Sequence, residues 1–246
     1  MLDARALVHE AGFFDPLKRE LAAVLREAPL RAAPRVLDAG CGTGHYTELA
    51  LEVFEASDTE VRSARVLAMD LSPAAVLRTV RRRPAAVNGL VADTWQPLPI
   101  RDGSIDVVLD VFAPRNASEF RRILRPGGML LVVVPRPEHL LELRADGRVL
   151  QIPEGKAAAL VEELEPDFGL RTERFVDARF ALDQDAAADD ALAAAIIGMG
   201  PSAHHRSTER AADVQALPDA ITLAVDVLAF EAVGEGRGPG GGAGTE

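Results

Sequence analysis

The chain has 246 residues, 48% of them hydrophobic, which is enough for a sizeable core in one large domain. No run of eighteen or so apolar residues exists and the acidic N-terminus has no apolar h-region, so a membrane span and a secretory signal are not expected and a soluble cytoplasmic protein is. A net charge of −11 disfavours a basic nucleic-acid footprint taken over the whole chain, and a single cysteine, Cys41, excludes an internal disulfide and a thiolate zinc centre; His204 and His205 lack neighbours at ligand spacing, so no metal is expected.

Apolar residues recur at spacings of three and four over residues 3–28, interrupted at "GFFDP", which predicts two helices with a turn at Gly12 to Pro16. Pro29 and Pro34 bound a linker. "RVLDAG" (35–40) reads as a buried strand, with a helix from about Gly44 to Phe54 and a polar loop at "EASDTEVRSA". "RVLAMDLS" is a second buried strand, and Ser72 followed by Pro73 is a helix start. "NGLVAD" is a third strand, and "SIDVVLDVFAP" a fourth whose continuous apolar run implies burial on both faces. "NASEFRRIL" begins a helix capped by Asn116 or Ser118, "RPGG" stops it, and "MLLVVVP" (129–135) is the fifth strand. This alternation predicts an α/β fold with a mostly parallel sheet and helices on both faces. Later come a helix near "GKAAALVEELEP", a strand at "LRTERFVDARFAL", an acid-started helix at "DAAADDALAAAIIGMG" and a last strand at "ITLAVDVLAFEAV". The expected division is a helical segment at 1–30, a main domain at 31–233 with substrate-side elements in 136–216, and a disordered glycine-rich tail at 234–246.

"LDAGCGTG" carries Gly40, Gly42 and Gly44, spaced G-x-G-x-G. A dinucleotide fingerprint needs G-x-G-x-x-G and a P-loop needs G-K-S/T, so neither NAD, FAD nor ATP phosphates fit. Asp38 precedes the glycines, Asp70 ends the second strand and Asp93 ends the third, all along one sheet edge where such folds bind ligands. A carboxylate after strand two can accept both ribose hydroxyls, one after strand three can accept from an adenine amino group, and nothing basic awaits a diphosphate. The ligand implied is an adenosine without phosphates and with a cationic group, S-adenosylmethionine (SAM). Asp70 and Asp93, each taken singly, read equally well as a helix cap.

The ordered set "LDAGCGTG", "LAMDLS", "LVADTWQPLPI", "IDVVLD" and "LRPGG" resembles the class I SAM-dependent methyltransferases, which are Rossmann-like. "RALVHEAGFFDPL", "VFAPRNASEFRRILRPGGMLLVVVPRPEHLLEL" and "IIGMGPSAHH" resemble more narrowly the bacterial 23S rRNA (guanine-N1)-methyltransferases, including the branch by which macrolide-producing actinomycetes protect their ribosomes; the likeness runs from about Arg5 to Val233. It implies a cofactor set of Phe14, Asp38, Gly40, Cys41, Gly42, Gly44, Asp70, Leu71, Asp93, Thr94 and His139. Phe14 stands where the family has a tyrosine against the cofactor, and His139 in "P-x-x-x-HL-x-EL" matches a cofactor-contacting histidine. Phe13 is expected in the core. Family members begin with a small zinc module that helps recognise RNA, and this chain starts just downstream of where that module would end; His204 replaces a late family aromatic, and the tail has no counterpart.

Methyl transfer to guanine N1 displaces a proton, and Asp110, near the end of strand four, is the expected catalytic acceptor of it, with Phe112 as a platform for a flipped base. From Arg65 to Arg136 there are 11 arginines against 6 acids, a locally basic stretch. Within it Arg115, Arg121, Arg122 and Arg125 are candidate phosphate contacts, with Arg78, Arg81, Arg82 and Arg83 as a second run; both also read as solvated helix faces. The leading reading is rRNA methylation, with 23S rRNA as partner and macrolide resistance as a consequence. A small-molecule methyltransferase that has lost its RNA module and a SAM-binding module without catalysis are the alternatives.

Overall fold

The structure, a computed structural model, describes residues 1–28, 31–56, 64–145, 149–165, 167–183, 186–199 and 218–233. Seven strands form one sheet: β1 (Arg35–Ala39), β2 (Arg65–Asp70), β3 (Val87–Val91), β4 (Ile105–Val111), β5 (Leu124–Pro135), β6 (Phe168–Ala181) and β7 (Ala220–Ala232). Their spatial order is β3-β2-β1-β4-β5-β7-β6. The first five run parallel, and β7 lies antiparallel between β5 and β6. The order reverses between β1 and β4, and ligands of open parallel sheets bind at such a reversal, outside the carboxyl ends of the strands.

Eight helices accompany the sheet among the described residues: α1 (Leu2–Glu10), α2 (Asp15–Glu27), α3 (His45–Glu55), α4 (Pro73–Arg82), α5 (Ala117–Ile123), α6 (Leu141–Ala145), α7 (Lys156–Leu164) and α8 (Ala187–Met199). Alternation along each strand feeds two cores. Val36, Val66, Val107, Leu109 and Val133 pack beneath α2, α3, α4 and α8. Leu37, Val108, Leu130 and Val132 pack beneath α5 and α7, with Phe120 and Leu160 as the facing side chains. All seven residues of β4 are buried, Asp106 and Asp110 included, as expected of a strand covered on both faces.

Local signals set most element ends. Ser72 accepts from Ala75 N–H at 3.4 Å with Pro73 next in line, so α4 starts where expected. Asn116, not Ser118, caps α5: its Oδ1 accepts from Glu119 N–H at 3.3 Å, and Ser118 only supports it. One boundary differs. "RPGG" does not separate α5 from the fifth strand; β5 already begins at Leu124, and the register jump between Ile105 and Val107 absorbs the extra residues as a bulge. Gly127 turns there at φ +70°, and a Cβ on Gly128 would stand 2.9 Å from the Arg125 carbonyl. Most of the polar loop after α3, His204 with the rest of 200–217, and the tail at 234–246 lie outside the described residues. Among the described residues no helix is long and apolar enough to cross a membrane.

Candidate active site

The chain folds back sharply after β1. Gly40 and Cys41 N–H groups both donate to the Met69 carbonyl, at 2.8 and 2.9 Å, and Gly44 N–H donates to Cys41 O at 2.8 Å. Gly40, Gly42 and Gly44 sit at φ +79°, +52° and +79°, where a side chain is strained. Space forbids one as well: a Cβ on Gly40 would lie 2.6 Å from Ala113 Cβ, and one on Gly44 would lie 2.9 Å from Thr79. A bare backbone turn therefore lies directly against the loop that follows β4.

The register sets Ala39 beside Met69 and Asp70 beside Val91, so Asp38, Asp70 and Asp93 share the carboxyl edge of three adjacent strands. Asp38 is buried beneath α3 and accepts from the Thr47 hydroxyl; burial, helped by the Asp70 charge, pushes its carboxyl up to about 6. Asp70 is half-buried and accepts from Gly42 N–H at 3.0 Å and Ser72 N–H at 2.9 Å. Asp93 accepts from Trp95 N–H at 3.0 Å. Neither acid caps a helix: Ser72 caps α4, and both acids close short turns two residues on, which leaves them lone pairs for further donors, since a carboxylate has about four acceptor sites. Thr94 O accepts from Asn116 Nδ2 at 3.0 Å and ties this edge to α5, and Leu71 stands 70% exposed on the rim. Cys41 is buried and its thiol is pushed up to about 12, so it is a small apolar wall and not a nucleophile.

Across this edge runs a row of rings that spacing alone does not disclose. His45 stacks on His9 at 3.8 Å; His9 meets Phe14 at 5.1 Å, Phe14 meets Phe112 at 5.8 Å, and Phe112 lies nearly parallel to His139 at 5.9 Å. Phe13 turns away into the core against Phe180. Phe112 is partly exposed and holds φ +55°, as does Leu140 beside His139. Such strain in non-glycine residues costs about 1–3 kcal/mol each and concentrates at functional sites.

The "P-x-x-x-HL-x-EL" stretch grips β7 where β5 ends. Arg136 N–H donates to Ala224 O at 3.0 Å and Leu140 N–H to Thr222 O at 2.8 Å. Glu142 accepts from both Thr222 N–H and its hydroxyl, at 3.0 and 2.6 Å, and His139 Nδ1 accepts from Ala224 N–H at 3.4 Å. That bond leaves the imidazole proton on Nε2, and burial holds the ring down to about 4, so it is neutral at physiological pH.

Two expectations are corrected here. Asp110 does not reach the rim: it has no exposed surface and lies on the α5 side of the sheet, opposite Asp38. Its Oδ2 accepts from Arg115 Nε at 2.9 Å, and burial pushes the carboxyl up to about 7 against the pull of Arg115 and of the Ala113 backbone. A carboxylate placed so braces the 111–115 turn. The arginines after it also have partners within the chain. Arg122 bonds Glu119, Asp102 and the carbonyls of Leu98 and Ile100; Arg125 bonds Asp106; Arg121 bonds Val233 O. In the second run Arg78 pairs with Asp3, and Arg83 with Glu48 and Glu55. Carboxylates and carbonyls within reach in the fold, invisible in one dimension, decide this.

The residues at the edge suit an adenosyl sulfonium. Half-buried carboxylates accept from hydroxyls and amines, neutral ring faces suit a cation, and the backbone turn leaves room where a Cβ would not fit. The strand order, the bare turn after β1 and the acids ending β2 and β3 define a class I SAM-dependent methyltransferase. The Methyltransferase domain family matches residues 36–128. A 23S rRNA (guanine(748)-N(1))-methyltransferase of Streptomyces fradiae is 40% identical over 213 residues, covering 86% of this chain and 71% of its own. A Micromonospora griseorubida relative, provisionally named a 23S rRNA (guanine-N(1)-)-methyltransferase, is 37% identical over 92% of this chain and 77% of its own. The chain belongs to this family of 23S rRNA (guanine-N1)-methyltransferases. A trans-aconitate 2-methyltransferase of Methylobacterium nodulans is 34% identical over 55% of this chain and 53% of its own. For the fold, the YcgJ protein of Bacillus subtilis superposes with a TM-score of 0.58 at 14% identity, over 88% of this chain and 99% of that one. The [4+2]-cyclase SpnF reaches 0.53 at 20% identity, over 87% and 82%. A cyclase on this fold is a reminder that chemistry resides in the site.

Proposed function

We propose that the chain methylates N1 of a guanine in 23S rRNA, acts in the cytoplasm where ribosomes assemble, and thereby raises tolerance to macrolides. The observation that carries this reading is the strained, partly exposed Phe112 beside neutral His139, at the mouth next to the glycine turn, in a chain 40% identical to the Streptomyces fradiae enzyme over 213 residues. The proposed cofactor ligands are the carboxylates of Asp70 and Asp93, the backbone of Gly40 to Gly44 with Cys41, the rim at Leu71 and Thr94, the rings of Phe14 and His139, and Asp38 beneath them. Bound there, the cofactor supplies an electrophilic methyl group. Phe112 offers a face on which an extruded base stacks, which holds N1 in line with the donor and excludes water. His139, neutral and fixed by Ala224, keeps positive charge away from a cationic donor and orients Phe112. Asp110 acts as a positioning residue: through Arg115 it fixes the turn that carries Phe112.

Reverse transcription across 23S rRNA tests the reading, because a methyl on N1 blocks Watson–Crick pairing and stops the polymerase. Incubation with the protein and SAM is expected to create one new stop at a guanine. Methylation of free organic acids with no stop on RNA would favour the small-molecule reading. That reading draws on the net charge of −11 and on the arginines engaged within the chain.

A further inference from the structure

The carboxyl rim of the sheet carries large apolar side chains that the core does not take up: Leu71 after β2, Trp95 after β3, Phe112 after β4 and Leu141 after β5 all stand exposed. Trp95, the one tryptophan of the chain, is 65% exposed. Its backbone is nonetheless held from both sides. Trp95 N–H donates to Asp93 Oδ1 and Gln96 N–H to Asp93 O, each at 3.0 Å. Thr94 O accepts from Asn116 Nδ2 at 3.0 Å, Leu98 N–H donates to Glu119 at 2.6 Å, and Arg122 donates to Leu98 O at 3.0 Å and to Ile100 O at 2.7 Å. The loop bearing Trp95 is thereby fastened to α5, into which the turn carrying Phe112 leads. A large ring left in water on a fixed backbone forgoes burial within its own chain and is preorganised for a partner that arrives.

The charges nearby narrow the choice of partner. Arg115, Arg121 and Arg122 have partners within the chain, and Asp93 adds negative charge beside Trp95. A phosphate is repelled there; an uncharged flat ring with polar edges is not. A base extruded onto Phe112 leaves its neighbours in the strand unstacked. We propose that Trp95 stacks one of those neighbouring bases, so that this rim holds unpaired RNA by base faces and not by phosphates. The inference rests on the reading that the acceptor is a guanine of rRNA. Stacking on an aromatic side chain accepts any base, so Trp95 selects an unpaired strand and not a sequence.

With a single tryptophan, the intrinsic emission of the full chain reports on this one ring. A single-stranded transcript spanning the reverse-transcription stop in 23S rRNA is expected to quench it. The same transcript annealed to its complement, and S-adenosylhomocysteine alone, are expected to leave it unchanged. Trp95→Leu should raise the KM for protein-free 23S rRNA roughly tenfold to a hundredfold, the loss of one ring–base stack, with kcat and S-adenosylhomocysteine affinity as in wild type. Trp95→Phe should recover most of the loss. Quenching by S-adenosylhomocysteine alone, with weaker binding of it in Trp95→Leu, would overturn the proposal by making the ring a cover for the cofactor. Unchanged emission with the transcript and an unchanged KM, while rRNA is still methylated, would overturn it as well. So would a response to whole ribosomal particles only, which would assign the ring to a ribosomal protein. A wild-type chain that leaves no stop on rRNA would sink the proposed function, and this inference with it.

Discussion

Replacing Gly40 with alanine tests whether the turn after β1 is empty by necessity. The added methyl meets two separate costs. At φ +79° a side chain is strained by about 1–2 kcal/mol. The new Cβ would also lie 2.6 Å from Ala113 Cβ, roughly 1 Å inside the usual 3.5–4.0 Å contact, so the turn carrying Phe112 must retreat by about that distance. Overpacking of this kind adds about 1–3 kcal/mol. The sum, about 2–5 kcal/mol, corresponds to a fall in melting temperature of roughly 4–20 °C for a chain of this size. Gly155→Ala is the control: φ is +69°, but nothing lies within 4 Å, so only the backbone cost of about 1–2 kcal/mol applies. Thermal unfolding and S-adenosylhomocysteine titration are run on both variants. Gly40→Ala should be the less stable and bind at least about tenfold more weakly, because a displacement near 1 Å at a site degrades alignment. Gly155→Ala should bind like wild type. Equal stabilities with intact binding in both would refute the claim that the glycine turn and the loop after β4 are in functional contact.

Asp70→Ala is expected to weaken SAM binding by about 1–3 kcal/mol, the cost of unpaired ribose hydroxyls, and unchanged affinity by calorimetry would remove Asp70 from the site. Asp38 sets a pH dependence: its carboxyl stands at about 6 instead of 3.8, so its contribution to stability is present at low pH and lost as pH rises from about 4 to about 6, by on the order of 3 kcal/mol. Asp38→Asn should abolish that slope in denaturation curves, and in wild type SAM affinity should rise as Asp38 ionises; flat profiles would contradict both. Asp110→Asn should lower the methylation rate without altering the pH–rate profile, as befits a brace for the Phe112 turn, whereas loss of an ionisation near 7 from that profile would restore Asp110 as proton acceptor. Arg121→Ala with Arg122→Ala should lower the melting temperature and leave the salt dependence of RNA binding unchanged, because these side chains are engaged by partners within the chain; a reduced salt slope would return them to the RNA surface.

The sheet was legible because its signals are local. Apolar runs between polar turns mark β1, β2, β4 and β7, Ser72-Pro73 marks the start of α4, and the glycine spacing at 40–44 excluded dinucleotides. The edge that gathers Asp38, Asp70 and Asp93 also followed, since parallel strands end on one side. What stayed hidden depends on pairings far apart in sequence. Arg122 reads as a surface cation until Leu98, Ile100 and Asp102 come within reach of it. Asp110 reads as a mouth residue until strand alternation points it to the face opposite Asp38. That much the sequence could have shown: Asp38 and Val36 share one parity on β1, and β1 Ala39 pairs with Asp110. The His9–His45 stack and Arg5 over Gly42 arise from the docking of α1 on the turn, for which no local signal exists. Thr47, the partner of Asp38, could have been found as the first inward hydroxyl of the helix after the glycines.

The most direct measurement is a crystal structure of the chain with S-adenosylhomocysteine. Ligand density is predicted at the carboxyl edge of the sheet, with the ribose on Asp70 and the adenine toward Asp93. Density anywhere else, or an adenosine lying toward α1, would contradict the account.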